Sequence, residues 1–273
     1  MAHYKLIIAY DGTAYHGFQR QANKASVQLV LETALRQLGW QGRAVLPSGR
    51  TDSGVHALGQ VISFNLDWKH GDSALRNALN AGLPADISVR QVSQVDPAFH
   101  PRYDALSRTY RYAIYRSEAR NPLLDRFAWR LNDLPDWERM NQAAAELIGE
   151  HDFSAFGKAL HAEGTTVRRV DQAEWRLQAP ELLTFTISAN AFLYHMVRRI
   201  VHCLVLIGLE KQPLTLIRQG LESGSSGIVD LAPARGLTLM RVRYSDDINE
   251  EESLPGQSLP GSWYFENGES YSG

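Results

Sequence analysis

Gly49-Arg50-Thr51-Asp52-Ser53-Gly54-Val55-His56-Ala57 is the segment of this 273-residue chain richest in groups that could do chemistry. A single carboxylate, Asp52, stands between two glycines, with a guanidinium and a hydroxyl just before it. Glycine admits backbone angles that other residues resist, so Gly49 and Gly54 would let a tightly wound loop present Asp52. Arg50 and Thr51 then stand where they could hold that carboxylate or a phosphate. A positioned carboxylate works as a nucleophile or as a general base. The same spacing also fits an ordinary Asp-Ser-Gly turn, in which the aspartate bonds its own backbone. His56 reads as a loop or core histidine. No serine pairs with a histidine and an aspartate as a hydrolytic triad, and no Gly-Lys-Ser phosphate loop occurs.

Two further side chains sit on elements that would fix them. Tyr110 lies in the strand-like run Arg108-Thr109-Tyr110-Arg111-Tyr112. Alternation there puts Tyr110 and Tyr112 on one face and Thr109 and Arg111 on the other. The plain alternative is a core tyrosine, the commoner fate of strand aromatics. Arg198 lies four residues after Tyr194 and four before His202, forming a polar stripe on an otherwise apolar predicted helix. Its alternative is a surface arginine in a salt bridge.

The elements that must carry these residues can be read from periodicity. Residues 4–10 (YKLIIAY) read as a buried strand ended by Asp11-Gly12. Ser26 is an N-cap candidate for a helix with Val27, Val30, Leu31, Ala34, Leu35 and Leu38 on one face. A short apolar run at 43–47 leads into the loop 48–59, and Ile62, Phe64 and Leu66 then alternate as a half-buried strand. A helix from about residue 73 and a strand over 87–95 complete this half. The second half begins with a strand over 108–115. A helix over 137–148 follows, with Met140, Ala144, Leu147 and Ile148 inward. Strands near 170–177 and 183–187, helices over 190–209 and 214–221, and a strand over 237–242 complete it. Each half thus reads as β-α-β-β-α-β. The expected fold is α+β: two ferredoxin-like halves in a mixed, largely antiparallel sheet, helices on one face, with the catalytic cleft between the halves. The expected boundaries are 1–105, 106–244 and an acidic, flexible tail over 245–273.

Composition allows an RNA partner without requiring one. The formal net charge is −2, and 44% of residues are hydrophobic, ample for a buried core. The tail carries seven acids (Asp246, Asp247, Glu250, Glu251, Glu252, Glu266, Glu269) and no Lys or Arg. Removing those from the 30 acids leaves 23 against 28 basic residues, a formal +5 for the body. A mildly basic body binds phosphates if its charges cluster. The single cysteine, Cys203, excludes an intrachain disulfide, and no Cys/His set has zinc spacing. No secretory signal is evident. The longest apolar stretch, residues 192–209, is broken by His195, Arg198, Arg199 and His202, so it reads as a buried helix and not as a membrane span. A cytoplasmic protein with no metal site is expected.

GRTDSGVHALGQV resembles the catalytic-loop signature of the TruA-type family of tRNA pseudouridine synthases. Further segments match that family in order: YDGTAYHGFQRQ (10–21), NALNAGLPADISV (77–89), FHPRYDALSRTYRY (99–112), GEHDFSAF (149–156), NAFLYHMVRRIV (190–201) and APARGLTL (232–239). The residues after about 245 lie outside the match. Departures are Ser48 and Ser53 where small apolar residues are usual, Phe18 where Trp is common, and Pro101 where Ala is common. None removes a charged catalytic candidate, although Pro101 bears on how the FHPR segment meets RNA.

The resemblance implies an isomerase that converts uridine to pseudouridine at positions 38, 39 and 40 of the tRNA anticodon arm, without a cofactor. It implies a homodimer that takes RNA across both subunits. Asp52 becomes the catalytic carboxylate, attacking C1′ or removing a ribose proton. A carboxylate that must stay ionised in a partly dry pocket needs a nearby cation, and the resemblance gives that place to Arg198. Tyr110 becomes the residue that stacks on the target base and helps remove its C5 proton. Arg50 becomes the residue that helps hold the flipped nucleotide. Arg20, Arg102, Arg168 and Arg169 are candidate backbone contacts. Three rival readings carry less. An RNA-binding protein without catalysis would not need Asp52. A nucleoside hydrolase usually needs two carboxyl groups. A synthase acting on another RNA would share the loop but not the flanking motifs.

Overall fold

The computed structural model describes residues 1–159, 161 and 163–245. The expected tail beyond Ser245 lies outside the described residues. In chain order the elements are β1 (Ala2–Tyr10), α1 (Val27–Gln37), β2 (Leu46–Pro47), β3 (His56–Leu66), α2 (Asp72–Gly82), β4 (Ile87–Gln94), β5 (Ser107–Arg116), β6 (Trp129–Leu131), α3 (Trp137–Ala144), β7 (Gly149–Asp152), β8 (Val167–Ala179), β9 (Leu182–Ala189), α4 (Met196–Gly208), α5 (Leu216–Ser223) and β10 (Leu237–Arg243). The fold is α+β with mixed, largely antiparallel strand pairing, as expected. None of the described helices is long and apolar enough to cross a membrane.

Residues 1–110 with 238–245 form one contact-dense unit, and residues 111–237 form a second. In the first, the hydrogen-bonded strand order is β4-β1-β3-β10-β5, with β2 also on β3. β1 runs antiparallel to both β3 and β4, while β10 pairs parallel to β3 through Thr238 with His56 and Leu239 with Ala57. β1 is buried on alternate residues, Tyr4, Leu6, Ile8 and Tyr10, so it is half-buried and not buried throughout. Ser26 caps α1, its Oγ accepting from the Leu29 N–H. Val27, Leu31, Ala34 and Leu35 turn inward as the spacing predicts, with Val30 and Leu38 at the margin of the same core.

In the second unit the order is β5-β9-β8-β7, with β6 parallel to β5. β7 and β8, and β8 and β9, are antiparallel pairs. Two helices are shorter than their apolar patterns suggest. α3 ends at Ala144 and tightens into a 3₁₀ turn over Ala145–Leu147, which leaves Ile148 44% exposed instead of inward. α4 starts at Met196 and not at residue 190, because His195 sits at φ 65°, a left-handed geometry that a right-handed helix cannot contain. Tyr194 is therefore outside the helix, and only Arg198 and His202 of the predicted polar stripe lie on it.

Candidate active site

The loop between β2 and β3 is tied at its root. The Ser48 N–H donates to the Val61 carbonyl at 2.8 Å, and the Ser48 hydroxyl donates to Gln60 Oε1 at 2.6 Å. Gln60, fully buried on β3, returns its amide N–H to the Gly49 carbonyl at 3.1 Å. Buried Ser48 thus has a polar partner inside the core.

The residue before Asp52 is held from three directions. Thr51 is buried, and its hydroxyl lies 2.8 Å from the Tyr10 phenol at the end of β1. The Thr51 carbonyl accepts from the Phe18 N–H at 3.1 Å. Gly17, at φ 85°, lies so close that an added Cβ would stand 2.7 Å from that carbonyl. Past Asp52 the chain turns, the Val55 N–H donating to the Asp52 carbonyl at 3.1 Å. Ser53 Oγ and the Gly54 N–H both donate to the Tyr15 carbonyl, each at 3.2 Å. Gly54 has φ 77°, so its lack of a side chain is required there; Gly49 has no positive φ, and an added Cβ would meet nothing within 4 Å. The expectation that both glycines serve unusual angles holds for Gly54 alone.

These ties leave Asp52 half-buried and Arg50 exposed. His56 is buried, with Nδ1 at 3.1 Å from both the Gly12 N–H and Asp11 Oδ1, consistent with a structural histidine that fastens the start of β3 to the turn after β1.

Tyr110, half-buried on β5, belongs to the same unit as Asp52. Burial first, and then the charges of Tyr10 and Asp52, push its phenol well above the ordinary tyrosine range, while Arg108 pulls the other way. Tyr110 is thus neutral at physiological pH. Burial likewise pushes Tyr10 up to about 12, opposed by its hydrogen bonds to Thr51 and Gln60. Sequence reasoning missed Tyr10, Gln60 and Gly17 as supports of the loop. For Gln60, a polar residue directly before the apolar pair Val61-Ile62 was the available signal.

Arg198 belongs to the second unit. Its Nε donates to the Ala232 carbonyl at 2.8 Å, and its own carbonyl accepts from the Ala232 N–H at 3.1 Å. Tyr112 anchors the same turn, its hydroxyl donating to the Pro233 carbonyl at 2.7 Å with Gly236 packed against its ring. The arginines expected on the RNA backbone differ in their surroundings. Arg20 is ion-paired to the buried Glu32 at 2.6 Å, and Arg169 to Asp171 at 3.0 Å. Half-buried Arg168 donates to the carbonyls of Thr165 and Val167. Exposed Arg102 places its guanidinium 5.8 Å from the Tyr103 ring centroid. Among the described residues no group of three or more His, Cys, Asp and Glu side chains is arranged to hold a metal ion.

A family model described as tRNA pseudouridine synthase matches residues 6–104 and 143–245. Curated proteins named tRNA pseudouridine synthase A are similar across most of the chain. The one from Syntrophotalea carbinolica is 42% identical over 244 residues, covering 88% of this chain and 96% of its own length. That from Aeromonas hydrophila is 39% identical, covering 94% of each. That from Limosilactobacillus fermentum is 36% identical, covering 92% of this chain and 99% of its own. A chain in a crystal structure of a Cbf5-Nop10-Gar1 complex aligns with 66% of this chain and 40% of its own at 13% identity, with a TM-score of 0.34, too slight to bear on the fold.

Proposed function

The chain belongs to the tRNA pseudouridine synthase family and is an isomerase of tRNA uridine, and we propose that it acts on uridines 38, 39 and 40 of the anticodon arm with Asp52 as its catalytic carboxylate. Isomerisation breaks the N1–C1′ bond, turns the base and rejoins it through C5, with no net redox change. A carboxylate suits the first step, by attack on C1′ or by removal of a ribose proton. What supports Asp52 is its setting. The backbone on both sides is fastened, so the side chain is presented without the entropic cost of ordering a free loop.

Tyr110 is assigned to stacking on the target base. Its raised pKa keeps the phenol protonated, which favours a stacking and hydrogen-bonding role over service as a phenolate base. Arg50, exposed beside Asp52, is assigned to the flipped nucleotide's phosphate, and Arg198, braced at Ala232, to substrate binding. A homodimer is part of the proposal and rests on the family resemblance. The target positions are tested by incubating the protein with an unmodified tRNA transcript and mapping pseudouridine by position. Product at 38, 39 or 40 supports the reading; product confined to another arm refutes it.

A further inference from the structure

The turn between β4 and β5 displays an aromatic side chain that the core does not use. Tyr103 leaves 75% of its surface to solvent. His100 lies against its ring, centroids 4.3 Å apart and planes tilted 34°, and the Arg102 guanidinium lies 5.8 Å from the ring centre. Exposed Leu106 extends the apolar surface. A mobile turn could carry such a residue by accident, but this turn is heavily braced. His100 Nδ1 accepts from the N–H groups of Arg102 and Tyr103, at 3.2 and 3.4 Å, and the His100 N–H donates to Asp104 Oδ2 at 2.8 Å. The Pro101 carbonyl accepts from the buried Tyr244 phenol at 2.7 Å.

Arg108 links this turn to the loop that carries Asp52. Its guanidinium donates to the Arg102 carbonyl at 2.6 Å, to the Ala105 carbonyl at 3.2 Å and to the Ser48 carbonyl at 3.1 Å. The exposed ring is therefore held in a set position relative to the root of the candidate catalytic loop. A rigid aromatic beside a guanidinium matches an unpaired nucleobase and its phosphate: the ring stacks on the base, and the cation meets the backbone.

We propose that His100, Arg102 and Tyr103 form a second RNA subsite, in which Tyr103 stacks on an unpaired base of the tRNA away from the isomerised uridine. The site rests on tRNA being the substrate. Arg108 acts as its positioning residue.

The test is the affinity of unmodified tRNA across a salt series for wild type, Tyr103→Ala, Tyr103→Phe and Arg102→Ala. Tyr103→Ala is expected to raise Kd by about 5- to 150-fold, the range for losing one base–aromatic stack. The slope of log Kd against log salt should not change, because stacking releases no counterions. Tyr103→Phe keeps the ring and should restore binding to within about twofold of wild type. Arg102→Ala should instead reduce the slope by about 0.7–0.9, one phosphate contact. As a second readout, Tyr103→Trp placed on Asp52→Asn should show added tryptophan quenching with tRNA relative to Asp52→Asn alone. A wild-type protein that fails to bind tRNA overturns the substrate reading and this site with it. Wild-type binding with an unchanged Tyr103→Ala Kd, or with no added quenching, overturns the site alone, and a change in oligomeric mass at unchanged Kd would mark Tyr103 as a contact between copies.

Discussion

The Tyr10 phenol and the Thr51 hydroxyl share a buried 2.8 Å hydrogen bond one residue ahead of Asp52. Because β1 is a central strand of its unit, this bond ties the candidate catalytic loop to the core. Tyr10→Phe keeps the ring and removes the bond, leaving a buried hydroxyl short of a partner at a cost of about 1–3 kcal/mol. The expected outcome is a lower unfolding midpoint together with a lower kcat. Thr51→Val removes the same bond, so the double variant should be less damaging than the sum of the singles. Additive losses in a double-mutant cycle would show that the two residues act separately.

Gln60 bridges Ser48 and Gly49 from inside β3. Gln60→Leu preserves approximate volume but strands the Ser48 hydroxyl and the Gly49 carbonyl, and about 1–3 kcal/mol of stability should be lost. Denaturant unfolding measures this. Adding Ser48→Ala to Gln60→Leu removes one stranded group and should recover part of the loss.

The two loop glycines should respond differently to alanine. Gly54→Ala forces a side chain into φ 77° and should cost roughly 1–2 kcal/mol. Gly49→Ala meets open space at an ordinary angle and should change stability by less than about 0.5 kcal/mol. Thermal unfolding of the two variants side by side checks the contrast.

How much of this was legible beforehand depends on the range of the interaction. The Ser26 cap is a local signal, and α1 formed where it predicted. β3 starts at His56, inside the expected loop 48–59, and buries Ser63 along with Ile62 and Phe64, so it is not the half-buried strand that alternation suggested. Asp52 stood out by its neighbours in sequence. Tyr10, Gln60 and Gly17 did not, because their importance comes from contacts with residues far along the chain, and a strand tyrosine or a loop glycine has many ordinary uses. The start of α4 was misplaced for a related reason. The apolar residues reach back to Phe192, but the chain turns left-handed at His195, which apolar spacing does not reveal.

Alkaline pH should loosen this region. The folded-state phenols of Tyr10, pushed up to about 12, and Tyr110, pushed higher, exceed the unfolded value of 10.0. Above pH 10 the unfolded chain gives up these protons while the folded chain keeps them, so their stabilisation is full below that pH and is lost as pH rises through the folded values. Unfolding midpoints should fall above pH 10, less steeply in Tyr110→Phe, and tyrosinate absorbance for these two residues should appear only with unfolding. Their titration in the intact fold near pH 10 would contradict the burial argument.

The central claim is that the Asp52 carboxylate does the chemistry. Its most direct measurement is the pseudouridine formed per unmodified tRNA by wild type and by Asp52→Asn, with tRNA binding followed in the same samples. The amide keeps the size and hydrogen-bonding reach of the side chain and removes its charge. The account predicts that Asp52→Asn still binds tRNA and forms no detectable pseudouridine. Pseudouridine formed by Asp52→Asn at the wild-type rate would contradict it.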